Sequence, residues 1–431
     1  MESARVRVVG AGLAGCEAAF QLAERGIAVD LYEMKPKRKS PAHHSDAFCE
    51  LVCSNSLRSD RLENAVGLLK AEMRLLGSLV IRIADETRVP AGGALAVDRD
   101  GFAARVTQVI RSHPNITVHG EEITAIPDAP AIVATGPLTD GALADEIGKL
   151  SGGALHFYDA AAPIVSCDSL DLSKVYRASR YGRGDDYLNC PFTRDEYFAF
   201  YRALIAAETA ELHAFETPRV FEGCMPVEVM AKRGEMTLCF GPLKPVGLET
   251  GGKMPFAVAQ LRQDDKDGKL WNIVGFQTNL KFGEQKRVFG MIPGLEHAEF
   301  VRYGVMHRNT FLPSPKLLDF DYSMRTNPLL YFAGQITGVE GYVESASSGL
   351  AAAISLAKRL KGEEPVDFTD RTAIGALGHY VSGYCGGDFQ PMNVTFGIME
   401  GLSERVRSKK ERYGKIAERA LKIVKELQTN C

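Results

Sequence analysis

The sequence of 431 residues has no marked excess of either charge and no long apolar run. Its formal net charge is -3 and its pI is about 6.3, so the chain as a whole does not attract nucleic acid. Any nucleic-acid partner would have to be held by a local basic patch. No window approaches the roughly 18 to 20 uninterrupted apolar residues that cross a bilayer, which predicts a protein without a membrane span.

The nine cysteines contain no C-x-x-C pair and no Cys/His grouping at the spacing of zinc ligands. This pattern predicts reduced thiols and no metal site. The N-terminal stretch M-E-S-A-R-V-R-V-V-G runs directly into a strand pattern, which leaves no room for a signal peptide. We therefore expect a cytoplasmic protein.

A dinucleotide-binding fingerprint opens the chain. The apolar run Val6–Val9 leads into G-A-G-L-A-G, a helical pattern follows, and a second strand pattern, I-A-V-D-L-Y-E, ends at Glu33. Gly10 permits a tight turn, Gly12 lets the backbone approach a pyrophosphate, and Gly15 lets helix and strand pack closely. Glu33 is placed to accept hydrogen bonds from ribose hydroxyls. The predicted site comprises Gly10, Ala11, Gly12, Leu13, Ala14, Gly15 and Glu33.

Two later segments favour FAD over NAD. A-I-V-A-T-G, residues 131–136, resembles the A-T-G signature that closes the nucleotide domain of many FAD proteins. Residues 331–357 combine an aromatic strand end, a glycine-containing loop and a helix of small residues, and they resemble the distal FAD motif of the glutathione-reductase-like flavoproteins. No second GxGxxG follows a strand, so no dedicated NAD(P) domain is visible. The predicted FAD-binding residues here are Thr135, Gly136, Gly334, Gln335, Gly338, Glu340, Gly341 and Tyr342.

Between these elements the composition becomes rich in aromatic residues, Pro and Gly. M-T-L-C-F-G and L-W-N-I-V-G-F-Q-T are predicted as antiparallel strands, and residues 194–212 as a helix whose aromatic residues pack in a core. Trp271, the only tryptophan, is also predicted to lie in a core. The predicted fold class is α/β: a Rossmann-like FAD-binding domain of the glutathione-reductase type (residues 1–150 and 312–431) with an inserted mixed α/β domain (residues 151–311).

The stretch L-V-C-S-N-S-L-R-S-D places Cys53 among small polar residues instead of in an apolar stripe. A buried structural cysteine usually has apolar neighbours, so this pattern favours a reactive thiol. The alternative is that Cys53 is a small buried residue without a chemical role. Polar neighbours alone do not decide between the two.

Several further motifs occur in a fixed order. Taken together they resemble the folate- and FAD-dependent tRNA (uracil-5-)-methyltransferases, the TrmFO family, from Val8 to about Leu402. A related family, the GidA-like wobble-uridine-modifying flavoproteins, shares the FAD motifs, but its chains are longer and carry an additional helical region. Length and the segment E-G-C-M-P-V-E favour the methyltransferases. The motifs are G-A-G-L-A-G-C-E-A-A, C-S-N-S-L, E-G-C-M-P-V-E, F-G-P-L-K-P-V-G-L, A-V-A-Q-L-R-Q, E-Q-K-R-V-F, M-I-P-G-L-E, Y-G-V-M-H-R-N-T-F, G-Q-I-T-G-V-E-G-Y and F-Q-P-M-N-V-T-F-G.

The resemblance implies transfer of a one-carbon unit from 5,10-methylenetetrahydrofolate to C5 of the T-loop uridine of tRNA, with reduced FAD supplying electrons and NADH or NADPH as reductant. Cys224 and Cys53 match the family's two functional cysteines. We expect Cys224 to add to C6, and Cys53 to handle the C5 proton or to hold the methylene unit transiently, although the reverse assignment is open. Arg58 near Cys53, and Lys232 and Arg233 near Cys224, are candidate cations that favour a thiolate.

Tyr342 is the aromatic residue that we expect to stack on the flavin or on the folate pterin, with a core tyrosine as the alternative. The clearest local signal for RNA is the last helix pattern, where basic residues cluster with few acids, although such a run is often only a solvated face. A small-molecule flavin oxidoreductase with a thiol pair is the rival function. The predicted RNA contacts are Arg405, Arg407, Lys409, Lys410 and Arg412, with Lys415 in the same cluster.

Overall fold

The computed structural model describes residues 5–40, 42–151, 155–210, 225–249, 251–383 and 389–428, with side chains except at 151, 155–159, 307 and 308. In this described part of the chain, no helix combines the length and the apolarity needed to cross a membrane. The strands are β1 (Val6–Val9), β2 (Val29–Tyr32), β3 (Ser56–Ser59), β4 (Arg88–Val89), β5 (Ala94–Val97), β6 (Ile116–His119), β7 (Ala131–Val133), β8 (Leu155–Ala160), β9 (Ile164–Ser166), β10 (Tyr176–Arg177), β11 (Tyr187–Phe192), β12 (Ala257–Gln263), β13 (Leu270–Ile273), β14 (Phe300–Arg302), β15 (Met306–Phe311), β16 (Ser323–Met324) and β17 (Asn327–Phe332). The helices are α1 (Leu13–Glu24), α2 (Ala65–Leu75), α3 (Leu79–Glu86), α4 (Arg99–Ser112), α5 (Gly141–Ser151), α6 (Arg194–Ile205), α7 (Val227–Ala231), α8 (Thr237–Phe240), α9 (Phe282–Phe289), α10 (Ser314–Leu317), α11 (Tyr342–Leu360), α12 (Ala373–Gly383) and α13 (Lys409–Gln428).

The first large sheet has the strand order β16-β17-β7-β1-β2-β6. Its pairings are parallel except for the edge pair β16–β17, and its central strands are short and apolar. The carboxyl ends of β1 and β2 therefore lie side by side, and this edge of a parallel sheet is where dinucleotides bind in such folds. The predicted α/β fold with a parallel, Rossmann-like sheet is confirmed.

Two helices from opposite ends of the chain pack against each other beside this sheet. A Cβ at Gly349 of α11 would lie 2.2 Å from the carbonyl oxygen of Ala14 in α1, so the two helix backbones are almost in contact. Both helices are buried over most of their length. The apolar core around them includes residues from α2, α3, α4, α12 and α13. This packing brings the distal segment to the glycine-rich loop.

The second large sheet is antiparallel, with the order β10-β11-β12-β13-β9-β14. Helix α6 begins with a capping box between Thr193 and Glu196, and its buried aromatic residues pack in the core of this sheet. Trp271 is fully buried in the same core, as the sequence predicted. The division of the chain at residues 150 and 311 remains a prediction.

Two local predictions in this region are wrong. M-T-L-C-F-G forms the short helix α8, in which Leu238 and Cys239 are both buried while Phe240 is 82% exposed, so burial does not alternate as it would in a strand. Helix α6 ends at Ile205 because the following residues turn away and Thr209 forms an antiparallel bridge with Leu280. Residues 211 and 212 lie outside the described residues.

Two smaller sheets frame the segment that carries Cys53. Strands β3, β5 and β4 form an antiparallel sheet, and β8 pairs with β15. The chain enters β3 at Ser56, shortly after Cys53, and the Cys53 thiol lies 3.7 Å from the carbonyl oxygen of Ala160 at the end of β8. The loop before β3 thus lies between the two large sheets.

Candidate active site

The glycine-rich loop has the geometry that its sequence predicted. Gly10 adopts φ +98°, and a Cβ there would lie 2.6 Å from the carbonyl oxygen of Ala134 on the neighbouring strand. A Cβ at Gly15 would lie 1.8 Å from the carbonyl oxygen of Gly10. Gly12, in contrast, has no atom within 4 Å of its Cβ position, because its free face points into open space at the start of α1. That open face is where a diphosphate can approach the backbone.

Glu33 is fixed to this loop by its own carboxylate. One carboxylate oxygen accepts a hydrogen bond from the N–H of Ala11 at 2.8 Å, and the other accepts one from the N–H of Lys35 at 3.0 Å. The side chain is only 7% exposed. Each oxygen keeps a second lone pair, so Glu33 can still accept from a ribose hydroxyl.

These elements line one elongated cavity, called here the dinucleotide cavity. Gly136, with φ +78°, and Gly334, with φ +87°, form its far wall, and the N–H of Gly334 donates to the hydroxyl of Ser348 at 2.7 Å. Residues that the sequence analysis had not selected, such as Lys35 and Arg38, also line it. The predicted residues that do so are Gly10, Ala11, Gly12, Leu13, Ala14, Glu33, Thr135, Gly136, Gly334, Gln335 and Tyr342.

Four predicted cofactor residues do not line the dinucleotide cavity. Gly15 packs against Gly10, and Gly338 faces Phe389, whose ring would lie 2.5 Å from an added Cβ. Glu340 and Gly341 instead line a second, adjoining space. Gly15 and Gly338 therefore influence the shape of the site indirectly, because each lets another part of the chain pack closely against its backbone.

The second space contains Cys53, one of the two predicted functional cysteines, and is called here the Cys53 chamber. It adjoins the dinucleotide cavity, because the two share five lining residues. The shared residues are Val52, Pro137, Leu138, Gln335 and Tyr342. The Cys53 chamber is also lined by Cys53, Ser54, Arg58, Ala160, Arg262, Gln277, Asn309, Glu340, Gly341 and Asn393.

Tyr342 connects the two spaces to the Cys53 loop. Its hydroxyl oxygen accepts hydrogen bonds from the N–H of Cys53 at 2.7 Å and the N–H of Ser54 at 3.3 Å. Burial is the main cause that raises the pKa of Tyr342 above its ordinary value. The phenol therefore keeps its proton near neutral pH, and the hydroxyl can still donate to a ligand.

Arg58, the predicted cation near Cys53, is already paired. Its guanidinium donates to both carboxylate oxygens of Glu344, a side chain with no solvent exposure. Arg58 lines the Cys53 chamber, but Glu344 balances its charge. It is therefore not an uncompensated cation beside the thiol.

Arg262 is a cation beside the Cys53 loop that no local sequence pattern indicates. It is 7% exposed, and it donates to the Ser54 hydroxyl at 2.7 Å and the Asn55 side-chain oxygen at 3.0 Å. Among the described residues it makes no ion pair, since the nearby carboxylate of Asp264 is held by Arg99 at 2.9 Å. Burial lowers the pKa of Arg262 from its ordinary value. A buried guanidinium with only neutral partners stabilises an anion that enters the chamber.

Cys224, the second predicted cysteine, lies outside the described residues, and so does the E-G-C part of its motif. The two predicted cations beyond it, Lys232 and Arg233, are described, and both are exposed. The distance from Cys224 to the chamber therefore stays a prediction.

The predicted basic cluster lies in an irregular segment and in the first turns of α13, which begins at Lys409. All five predicted contacts are exposed. Lys415 is less available, because it pairs with Glu404 at 3.1 Å and Glu411 at 3.7 Å. The helix is anchored by Ile416, Ala417, Ala420 and Val424, which are buried in the first core.

The parallel sheet, the glycine-rich loop and the acid after β2 together define a dinucleotide-binding protein of the flavoprotein class. The chain is 60% identical over 426 residues to the methylenetetrahydrofolate–tRNA-(uracil-5-)-methyltransferase TrmFO of Listeria monocytogenes serotype 4b, with 98% of each chain covered. The proteins of the same name from Acetivibrio thermocellus and Bacillus licheniformis are 60% and 58% identical, at the same coverage. The chain therefore belongs to the TrmFO family.

A wider relationship is visible in the fold. The family described as "Glucose inhibited division protein A" matches residues 5–364. The Aquifex aeolicus GidA structures superpose with TM-scores of 0.71 and 0.68 at 17% sequence identity, covering 98% of this chain but only 76% and 73% of theirs. At this identity the similarity shows the fold alone, and the GidA chains are the longer ones, as the sequence analysis expected of that family.

Proposed function

We propose that this protein transfers the one-carbon unit of 5,10-methylenetetrahydrofolate to C5 of the T-loop uridine of tRNA and reduces it to a methyl group, giving 5-methyluridine. The observation that carries this proposal is the position of Cys53 in a chamber that adjoins the dinucleotide cavity. The name of the 60%-identical relatives gives the donor, the tRNA and the uracil C5 position. The cytoplasm, where tRNA and folate occur, is the corresponding location.

The residues around the dinucleotide cavity fit FAD. Gly12 leaves space for the diphosphate at the start of α1, and Glu33 can accept from the ribose hydroxyls. The shared wall at Gln335 and Tyr342 brings the far end of this cavity against the Cys53 chamber. FAD, when reduced and bound there, supplies the hydride that converts the transferred methylene unit to methyl. We propose NADH or NADPH as the source of these electrons.

Uracil C5 becomes nucleophilic only after a nucleophile adds to C6. We assign this addition to the Cys224 thiolate: the S–C6 bond forms and the C5=C6 electrons move toward O4. C5 then bonds to the methylene carbon, and one of that carbon's two bonds to folate nitrogen breaks. Cys53 accepts the C5 proton, and the electron pair left on C5 expels the second folate nitrogen and forms a double bond from C5 to the methylene carbon. The hydride that reduced FAD would supply adds to this carbon, and the shifting electrons restore C5=C6 as the Cys224 sulfur leaves C6.

Arg262 has the position and the charge to stabilise this reaction. Negative charge develops on the pyrimidine oxygen during the addition, and a fixed, buried cation such as Arg262 stabilises such charge strongly. The Arg262 guanidinium bonds to Ser54, the neighbour of Cys53. The backbone of Arg262 is fixed, because its strand β12 pairs in antiparallel fashion with a strand on each side.

For the RNA we propose the basic cluster at the start of α13 as a phosphate-contacting surface. Lys410, one residue of this cluster, lines a groove together with Arg61. Arg61 follows Arg58 of the Cys53 chamber by three residues, a span of at most about 11 Å. The cluster is thus close enough to the chamber to hold RNA flanking a uridine that has been turned out of its stack.

The test is incubation of the flavin-loaded protein with NAD(P)H, methylenetetrahydrofolate and an unmodified tRNA transcript, followed by analysis of the digest for 5-methyluridine. Cys53→Ala and Cys224→Ala should both retain FAD and lose product. Release of tritium from C5-labelled tRNA separates the two roles, because loss of C6 addition prevents any exchange at C5. Flavin oxidation that proceeds equally without tRNA would favour the rival small-molecule oxidoreductase, and unchanged activity in both variants would refute thiol catalysis.

A further inference from the structure

Asn309 is a nearly buried amide that has no hydrogen-bond partner among the described residues. It lies on β15, is 3% exposed and lines the Cys53 chamber. Among the described residues, no group hydrogen-bonds to its side chain. By contrast, Asn55, which is also buried, donates to the carbonyl oxygens of Val97 and Gln263 at 2.9 Å each. Buried amides are normally satisfied, so an unsatisfied one that lines a cavity indicates a ligand.

The register of β15 fixes where this amide lies relative to the thiol. Asn309 pairs with residue 157 of β8, while the Cys53 thiol lies at residue 160, three residues or roughly 10 Å further along the same strand. The next residue, Thr310, donates its N–H to the carbonyl oxygen of Pro137 at 2.7 Å, and Pro137 belongs to the wall shared with the dinucleotide cavity. Asn309 and Cys53 therefore line the same chamber at separated positions.

A primary amide presents one acceptor and one donor in a single plane. This matches a cyclic lactam, in which a ring N–H stands next to a carbonyl. In uracil the C2–N3 edge lies opposite the C5–C6 edge, so a base whose C5 faces Cys53 presents its N3–H and C2 carbonyl to the far side of the chamber. The reduced pterin of folate carries the same N–H and carbonyl pair, so both ligands of the proposed reaction share this chemistry.

We infer that Asn309 binds the lactam edge of the heterocycle in the Cys53 chamber, either the uracil or the pterin, and fixes that ring against the thiol. This inference rests on the proposed function for its two ligands. Arg262 and Cys53 act on the reacting side of the ring, whereas Asn309 holds the opposite side.

The test compares Asn309→Leu, which keeps the approximate size and removes both hydrogen bonds, with Asn115→Leu as the matched control. Asn115 lies beside β6, where it donates to the carbonyl oxygen of Ala23, away from both cavities. Kinetic constants are measured with tRNA and with methylenetetrahydrofolate varied separately, and the Tm of each ligand-free, FAD-loaded variant is recorded. Equilibrium binding of tetrahydrofolate and of unmodified tRNA gives a reading that does not require turnover.

For Asn309→Leu we expect kcat/KM to fall roughly 10- to 100-fold, as for the loss of two buried hydrogen bonds, while Tm stays equal or rises because an unpaired buried amide has been removed. A loss confined to tRNA identifies the uracil as the ligand, and a loss confined to the folate identifies the pterin. Activity equal to that of Asn115→Leu, or a Tm that falls with activity, would overturn the inference. If the unsubstituted protein formed no 5-methyluridine, the proposed function would fail, and equilibrium binding would still test Asn309.

Discussion

The hydroxyl of Tyr342 accepts a hydrogen bond of 2.7 Å from the backbone N–H of Cys53, although 289 positions separate the two residues in the chain. This contact joins the first residue of α11 to the loop that carries the proposed catalytic thiol. It also places Tyr342 on the boundary between the dinucleotide cavity and the Cys53 chamber. The position of the thiol therefore depends on the distal segment that is proposed to bind the flavin.

Tyr342→Phe removes the acceptor shared by the N–H groups of Cys53 and Ser54. Leaving a buried N–H without a partner costs about 1–3 kcal/mol, so we expect 5-methyluridine formation to slow by roughly 10-fold or more while FAD stays bound. Tyr322→Phe is the matched control, because the buried hydroxyl of Tyr322 has no hydrogen-bond partner in the described chain. Equal rates in the two variants would contradict the positioning role of Tyr342.

Arg262→Gln should lower kcat by roughly 10²- to 10³-fold, the usual cost of removing a group that stabilises a developing oxyanion. Arg262→Lys should recover part of the rate, because lysine keeps the positive charge but lacks the planar guanidinium, whose N–H groups can donate two hydrogen bonds side by side. Arg180→Gln is the control: Arg180 also has neutral partners, the side-chain oxygen of Gln260 at 3.0 Å and the carbonyl oxygen of Val246 at 2.8 Å, but it does not line the chamber. A loss of similar size in Arg180→Gln would show that general destabilisation is responsible.

The two glycine substitutions Gly12→Ala and Gly15→Ala should separate cofactor binding from folding. A methyl group at Gly15 would overlap the carbonyl oxygen of Gly10, so we expect a loss of about 1–3 kcal/mol or more in the free energy of unfolding. A methyl group at Gly12 meets nothing in the protein, so the apoprotein should remain stable while FAD affinity falls by roughly 10-fold or more. Thermal unfolding of the apoproteins and titration with FAD measure the two effects. Normal FAD affinity in Gly12→Ala would mean that the diphosphate does not approach this residue.

Neutralising the start of α13 should weaken tRNA binding mainly at low salt. For Lys409→Gln combined with Lys410→Gln, the slope of log K against log salt concentration should become less steep by roughly 1 to 2, as for the loss of two phosphate contacts. The control is Lys422→Gln combined with Lys425→Gln, since both lysines are exposed near the other end of the same helix. The prediction is wrong if both double variants show the slope of the unsubstituted protein.

Lys70 should make stability depend on pH. Its buried ammonium group donates to the carbonyl oxygens of Leu57 and Ser59, and burial lowers its pKa from 10.5 to about 7. Between these two values the unfolded chain holds a proton that the folded chain has released, so this contribution to the free energy of unfolding rises with pH across the window and is lost as pH falls. Denaturant unfolding of the protein and of Lys70→Met at several pH values should therefore give a difference that changes by up to about 1.4 kcal/mol per pH unit. A difference that is constant from pH 7 to 10.5 would contradict this assignment.

The sequence alone determined the dinucleotide loop, because its features are local. Gly10 and Gly15 are required by contacts within a few residues or with the adjacent strand, and Glu33 follows from the length of the strand–helix–strand unit. The core position of Trp271 followed from its setting in a strand pattern. A short apolar run such as M-T-L-C-F-G fits helix and strand equally well, and there the prediction was wrong because only packing distinguishes them.

Only the tertiary structure decided what surrounds the thiol. The nearest cation in sequence, Arg58, is neutralised by Glu344, whereas Arg262 reaches the Cys53 loop from a strand of the other large sheet. Tyr342 and Asn309 were likewise far from Cys53 in the chain, and strand register and helix packing place them in one chamber. Contacts of this kind depend on how whole sheets and helices pack, so they join residues that share no local sequence pattern. For that reason the sequence indicated a reactive thiol at Cys53, but it did not indicate that Tyr342 holds the loop or that Arg262 supplies a positive charge beside it.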